Sequence, residues 1–382
     1  MTGARLSLES TEPRRFGSGW ISGVLSAAFG LIGLGAVVCF HFPSILTVPE
    51  LRGLYPLPYV RALLHLVLVG AFLLGTISIS LRQNKALGVA GIAFTLAAAL
   101  LGGSEVPVDR VRGSGPFLGL DWFLLNLMLY SAVFVPLERL FAHRPEQSTF
   151  RRAWRTDLAY FFLSALLLQL TTLLTMQPAM VFFQWAVDPR VQAAVRGQPL
   201  VVQFVEILVL TDLAQYWIHR AFHAVPALWQ FHRIHHSAET MDWLAGSRLH
   251  LVDVAVTRGL TYVPIYVLGF SQAPLVGYVA FVSAQATFIH ANVRFRFGAL
   301  GWLLATPRFH HWHHGAEAEA VDKNFAVHLP VIDWLFGTFY LPTDRWPASY
   351  GLADGTRVPE GFARQFVEPF RRTRDEGPRT IP

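Results

Sequence analysis

Three stretches of this chain concentrate imidazoles at helical spacing. In DLAQYWIHRAFH, His219 and His223 stand four apart and so share a helical face. WQFHRIHHSAETMDW carries His232, His235 and His236 at i, i+3, i+4, and TPRFHHWHHGA repeats the pattern with His310, His313 and His314 while adding His311. Each triplet directs a row of ring nitrogens one way. Eleven of the fifteen histidines fall between His219 and His314. Eight imidazoles on matched faces beside apolar helices have no packing rationale, and clustered neutral imidazoles in that setting bind metal. Eight nitrogen donors exceed the about four to six that one metal accepts and suffice for two. His250 in GSRLH and His290 in FIHAN bring the count to ten, about five per metal, with a position left on each for dioxygen or water. His311 is ambiguous, because His310, His311 and His314 also fit one face. The scattered His41, His65, His143 and His328 read as hydrogen-bonded core or interfacial residues.

The elements that position these rings are membrane helices. Hydrophobic residues make up 53% of the 382 positions and charged residues 15%, with a mean hydropathy of +0.40. Such a balance excludes an ordinary soluble domain. Apolar runs near the roughly 20 residues of a bilayer span cover Ser18 to Phe40, Pro58 to Leu81, Ala86 to Leu101, Phe117 to Leu137 and Leu200 to Ile218. Asp157 to Val187 is longer and interrupted by Pro178, as a tilted helix or a span plus a re-entrant piece would be. Leu251 to Gly269 and Gln272 to Ile289, joined at GFSQAP, read as a helical hairpin. The expected fold is all-α: a polytopic membrane bundle of about 7–8 spans or half-spans with a cytoplasmic histidine-rich helical cap.

Charge orients that bundle. Arg5, Arg14 and Arg15 precede the first span, Arg82 and Lys85 follow the second, and Arg139, Arg144, Arg151, Arg152 and Arg155 follow the fourth. Cytoplasmic loops carry the basic excess, so both termini and the histidine boxes fall on the cytoplasmic side. The first span is too long for a cleavable leader and reads as a signal anchor. A net charge of +6 suits anionic headgroups, and the basic residues form no compact patch for nucleic acid. One cysteine, Cys39, excludes a disulfide framework and a thiolate metal site. Only Lys85 and Lys323 are lysines among 31 basic residues, the codon bias of a GC-rich, bacterial genome. Three regions follow: N-terminal spans over 1–140, a catalytic region over 141–342, and a polar Arg-rich tail over 343–382 expected to be a loose surface segment.

From Asp212 to Leu341 the chain resembles the fatty acid hydroxylase superfamily, also called the sterol desaturase family. His219 and His223 match its His-x-x-x-His, His232, His235 and His236 its first His-x-x-His-His, and His310, His313 and His314 its second, preceded by Thr-Pro-Arg. HAN at His290, DWLAGSRLH ending at His250, DKNF at Asp322 and IDWLFGT at Ile332 look like stretches of bacterial members. Two departures stand out: Leu251 follows His250 where members have proline, and His311 replaces a non-histidine. The resemblance implies a membrane di-iron enzyme that uses dioxygen to hydroxylate or desaturate an unactivated C–H bond of a sterol, fatty acyl or related lipid. It implies two iron ions held by His219, His223, His232, His235, His236, His250, His290, His310, His313 and His314. Imidazole number alone leaves iron, zinc and copper open.

Ligand imidazoles need outer partners to fix their tautomers. Asp212 and Tyr216 share the helical side of His219 and His223, so Asp212 is expected to accept an N–H from a ligand histidine or to bind iron through water. Asp322 is a further catalytic candidate, with Glu239 and Asp242 behind it. No dinucleotide fingerprint, CxxC pair, flavin or haem domain is legible. The glycines of RGSGPFLG read as a turn. An external electron donor, a separate reductase or carrier on the cytoplasmic face, is therefore expected. Two other classes fit histidine-rich spans. A metal or proton transporter requires polar residues continuing through the bilayer, and they largely stop at the cytoplasmic boundary; a membrane zinc hydrolase requires a carboxylate within a box, and no box contains one.

Overall fold

The computed structural model describes residues 17–52, 56–108, 116–343 and 345–371. Arg5, Arg14 and Arg15, the loop residues 112–115 and the tail residues 372–382 lie outside the described residues. The longer helices are α1 (Trp20–His41), α2 (Leu57–Leu81), α3 (Ala86–Leu100), α4 (Leu120–Leu140), α5 (Trp154–Leu166) and α6 (Leu168–Phe183). They continue as α7 (Leu200–Ala224), α8 (Pro226–His236), α9 (Leu251–Leu268), α10 (Gln272–His290), α11 (Pro307–His313) and α12 (Phe362–Arg371). No strand forms among the described residues, which hold two isolated bridges, Ala142 with Val293 and Gly315 with Tyr350. Among the described residues, seven helices are long and apolar enough to cross a bilayer: α1, α2, α3 with its short extension to Glu105, α4, α7, α9 and α10. Leu66 and Val201 stay largely exposed on these helices, as residues solvated by lipid do. The chain is an all-helical polytopic membrane protein.

The apolar run 157–187 departs from a single span. It is divided between α5 and α6, and the division falls at Leu167 while Pro178 lies inside α6. At that point the Leu166 carbonyl accepts the Gly119 N–H at 3.2 Å and so leaves the helical ladder. An apolar surrounding offers the backbone around Pro178 no competing partner, and the helix persists through it.

The chain forms two compact units. The first contains residues 1–129 and 165–169. Its spans α1, α2 and α3 approach closely through small residues, the usual route to tight packing in lipid. A Cβ at Gly91 would lie 1.9 Å from Ser26 Oγ, so only glycine fits there. Ser26 Oγ donates to the Ala71 carbonyl at 2.7 Å and ties α1 to α2.

The second unit contains residues 130–164 and 170–382. Here α9 and α10 each pack against α7, and Gly269, at φ 62°, closes the turn between them in the left-handed region that glycine tolerates. Val225 joins α7 to α8, where Pro226 occupies the first helical position. Within the tail, residues 362–371 form a helix rather than the loose segment expected from its polarity. Phe362, Phe366 and Phe370 recur every four residues on α12, and Phe366 stacks on His250 at 4.8 Å while Phe370 meets Phe231 at 5.5 Å.

Candidate metal centre

Four helix ends deliver the histidines. His219 and His223 occupy the last turns of α7, the first triplet ends α8, His290 ends α10, and the second triplet ends α11. Thr306 caps α11 through its Oγ1, which accepts Phe309 N–H at 3.3 Å. The imidazoles collect into two sets: His219, His223, His232, His236 and His313; and His235, His290, His310 and His314. Within each set one ring nitrogen per residue lies within 4.8 Å of all the others.

The triplets do not act as units. From α8, His232 and His236 enter the five-membered set while His235 turns to the other; from α11, His310 and His314 enter the four-membered set while His313 crosses. Positions i and i+4 point almost alike on a helix, whereas i+3 deviates to the other side. Each triplet thus serves both sets. The sets are adjacent, with His236 and His314 stacked at 4.5 Å between ring centroids.

Tautomers follow from the partners. The Nδ1–H groups of His219, His313 and His290 donate to the carbonyls of Phe325 (2.7 Å), Lys323 (2.8 Å) and Ala286 (2.6 Å), and His235 Nδ1 to Arg248 at 3.3 Å. A carbonyl only accepts, so Nδ1 carries the proton and Nε2 presents a lone pair inward. His232 and His223 make the same use of carboxylates, Asp253 at 2.6 Å and Asp322 at 3.1 Å. Lone pairs therefore face each other where both partners are so fixed: Nε2 to Nε2 is 3.0 Å for His219 and His232 and 3.3 Å for His235 and His290, and His223 Nε2 lies 3.1 Å from His236 Nε2. Two nitrogens bound at about 2.1 Å and near right angles to one cation stand about 3 Å apart. Buried His313 Nε2 has no hydrogen-bond partner. Facing lone pairs and an orphaned nitrogen fit a metal cation in each set.

Burial holds these rings neutral. His235, His236, His310, His313 and His314 are all kept well below the ordinary histidine value of 6.5, first by desolvation and then by neighbouring imidazoles. The unfolded chain takes up protons at these positions near pH 6.5 and the folded chain does not, so stability is present above that pH and lost as pH falls. Acidifying metal-stripped protein from pH 7.5 to 5.5 is expected to destabilise it by about 1.4 kcal/mol per pH unit below 6.5 for each histidine held neutral, seen as a lower melting temperature. A melting temperature flat or rising toward pH 5.5 would contradict this.

One loop supports much of the five-membered set. Asp322 and Asn324 adopt φ of 56° and 59°, and this backbone brings the Asp322 carboxylate and the carbonyls of Lys323 and Phe325 to His223, His313 and His219. Asn324 fixes the loop by donating to the carbonyls of Phe309 and Tyr340. On the other side, Arg151 bridges Asp157 and Asp242 at 2.6 and 2.7 Å, and Arg248 also pairs with Asp157. That buried network holds the segment whose Arg248 carbonyl receives His235.

Several expected site residues lie elsewhere. Asp212 touches no histidine ring; its carboxylate accepts the backbone N–H groups of Val327, His328 and Leu329 at 3.0, 3.1 and 2.7 Å. The helical face shared with His219 is real, but about two turns further from the helix end it meets the chain after DKNF. Asp212→Ala should therefore destabilise by about 3 kcal/mol or more, seen as a lower melting temperature in detergent, because three buried donors lose their acceptor. Tyr216 likewise turns away, its hydroxyl at 2.9 Å from Thr338 Oγ1 and its ring stacked on Phe336. His250 stands outside both sets with both nitrogens engaged: Nε2 donates to Phe366 O at 3.0 Å and Nδ1 accepts Val252 N–H at 3.1 Å, capping α9. His250→Ala is expected to keep both metals and lose about 1 kcal/mol of stability; loss of a metal would contradict this. His311 is engaged the same way, by Tyr350 OH at 2.8 Å and the His290 carbonyl at 3.2 Å. Of the ten expected ligands, nine fall in the two sets. Asp253 is the residue the patterning did not single out; its only signal was a carboxylate in the first turn of a helix beginning beside a box.

A polytopic helical membrane protein with paired all-histidine sets at its helix ends is the class defined by fold and site. Residues 204–338 match the fatty acid hydroxylase family. The chain is 34% identical to ornithine lipid hydroxylase OlsE of Rhizobium tropici, over 46% of this chain and 52% of that protein. It is 30% identical to human alkylglycerol monooxygenase, over 42% of this chain and 35% of that protein. The matched stretch contains every histidine of the two sets. The chain spans about half the length of the first relative and about a third of the second. No solved structure matches it.

Proposed function

We propose that this chain is an iron- and dioxygen-dependent hydroxylase of a membrane lipid, placed in a bacterial inner membrane with its histidine centre on the cytoplasmic side and supplied with electrons by a separate carrier. The carrying observation is the pair of adjacent sets, five and four imidazoles, whose lone pairs point inward. Two irons held there would supply dioxygen activation for oxidation of an unactivated C–H bond. The protein's part is positional and electrostatic. Nine neutral imidazoles leave the cationic charge uncompensated, and outer carbonyls and carboxylates lock six of the nine rings in place. Because α7 and α10 end at the sets, a lipid enters sideways from the bilayer without crossing water. Asp253 and Asp322 both engage Nδ1 atoms on the outer side, an arrangement that orients rings and supplies no inward general base for hydrolysis. The names of the relatives, a lipid hydroxylase and a monooxygenase, support oxygen insertion over desaturation.

Metal analysis of protein purified in mild detergent, combined with lipid profiles of cells with and without the gene, tests this reading. Expected are close to two irons per chain and a lipid gaining one oxygen atom. A stoichiometry near one, or turnover surviving complete iron removal, would sink it. Arg144 binds Asn292 just beyond the end of α10, so α5 and α6 together must cross the bilayer once besides α7, and reporter fusions after Arg144 and after Arg248 should both report cytoplasm; opposite signals would show that α5 and α6 do not cross.

A further inference from the structure

Arg258 lies seven residues into the apolar span α9, about 10 Å along its axis from Leu251. Among the described residues its guanidinium has no hydrogen bond, ion pair or ring contact, and it is exposed. Four buried or half-buried arginines of this unit are partnered: Arg151 and Arg248 by Asp157, Arg220 by Tyr216, Arg233 by Thr356. One and two turns further on, Tyr262 and Tyr266 continue the same face with ring centroids 6.2 Å apart, and their hydroxyls also have no partner among the described residues. A polar stripe at i, i+4, i+8 therefore runs along a membrane helix.

A charge within a span is costly unless something neutralises it, and here the protein does not. The stripe begins near the chemistry. Asp253, which receives His232, precedes Arg258 by five residues, about 7.5 Å of rise, and a helical side chain leans back toward the helix N-terminus. The guanidinium thus approaches the level of the five-histidine set. Its planar fork matches the oxygens of a phosphate or carboxylate. We propose that Arg258, with the Tyr262 hydroxyl beside it, binds the anionic headgroup of the lipid oxidised at the histidine centre, so that the oxidised C–H lies in the headgroup or within the first few carbons from it. The proposal rests on the lipid-oxidising reading of that centre, and its binding test is separable from it.

Native mass spectrometry of the purified, metal-loaded protein in zwitterionic detergent would count retained lipid after titration with dioleoylphosphatidylglycerol, oleate or dioleoylphosphatidylcholine. Expected is saturable retention of one anionic lipid per chain, weakened about tenfold or more in Arg258→Gln and within a few-fold of wild type in Arg258→Lys, with metal content unchanged in both. Phosphatidylglycerol and oleate arms tell phosphate from carboxylate. Equal retention by wild type and Arg258→Gln, unsaturable retention typical of bulk lipid, or full displacement by millimolar inorganic phosphate would overturn the proposal. Iron stoichiometry in the same spectra reports separately on the function proposed above.

Discussion

Replacing His313 by alanine is expected to empty the five-histidine set while the four-histidine set keeps its metal, and replacing His310 should do the reverse. The two residues belong to one triplet, yet their nitrogens serve different sets. Double variants make the division measurable. His310→Ala with His314→Ala removes two donors from one set and should leave one metal per chain; His310→Ala with His313→Ala removes one donor from each and should leave close to none. Turnover should fall at least about 100-fold in every case, beyond the 10–100-fold typical of losing an outer partner, because charge and geometry change at the metal itself. Metal analysis of the purified variants decides it. If the His310/His314 pair lost both metals, each triplet would be acting as one unit and the crossed arrangement would be wrong.

Much of this centre was legible because histidine spacing carries its own geometry. Intervals of three and four on short helices placed nine of ten named imidazoles in the two sets, and apolar run lengths located the seven spans. What spacing could not supply was the direction from which each face is met. Asp212 shares a face with His219 and His223, but the contact made there is with the backbone at 327–329, brought over by a loop more than a hundred residues downstream. The same loop illustrates the other gap. Lys323 and Phe325 act through carbonyls, which any residue possesses, so no side-chain pattern announces them. His250 failed for a local reason: a histidine just before a helix is as good a cap as a ligand, and the first turn of α9 took one nitrogen while α12 took the other. The tail's helix was hidden by its charge, since three phenylalanines at a period of four were read against their polar surroundings.

Asp253→Ala should lower the metal affinity of the five-histidine set by about 10–100-fold and leave the other set unchanged. The carboxylate lies 2.6 Å from His232 Nδ1, both groups are buried, and Thr257 Oγ1 donates to its other oxygen at 3.2 Å. Without it the proton on Nδ1 has no acceptor, and the imidazole can place that proton on Nε2, where it would displace the metal. Asp253→Asn should fall between wild type and alanine, because the amide oxygen still accepts the Nδ1–H but adds no negative charge. Asp322 provides the contrast. Its carboxylate stands 3.1 Å from His223 Nδ1 but remains 45% exposed, so water can take over its role and the alanine variant should lose only a few-fold. Competition titration with a chromophoric chelator, resolved by set through the His310→Ala and His313→Ala backgrounds, measures all three variants. Equal losses at Asp253 and Asp322 would show that outer charge alone matters, and an unchanged affinity in Asp253→Ala would remove that aspartate from the metal centre altogether.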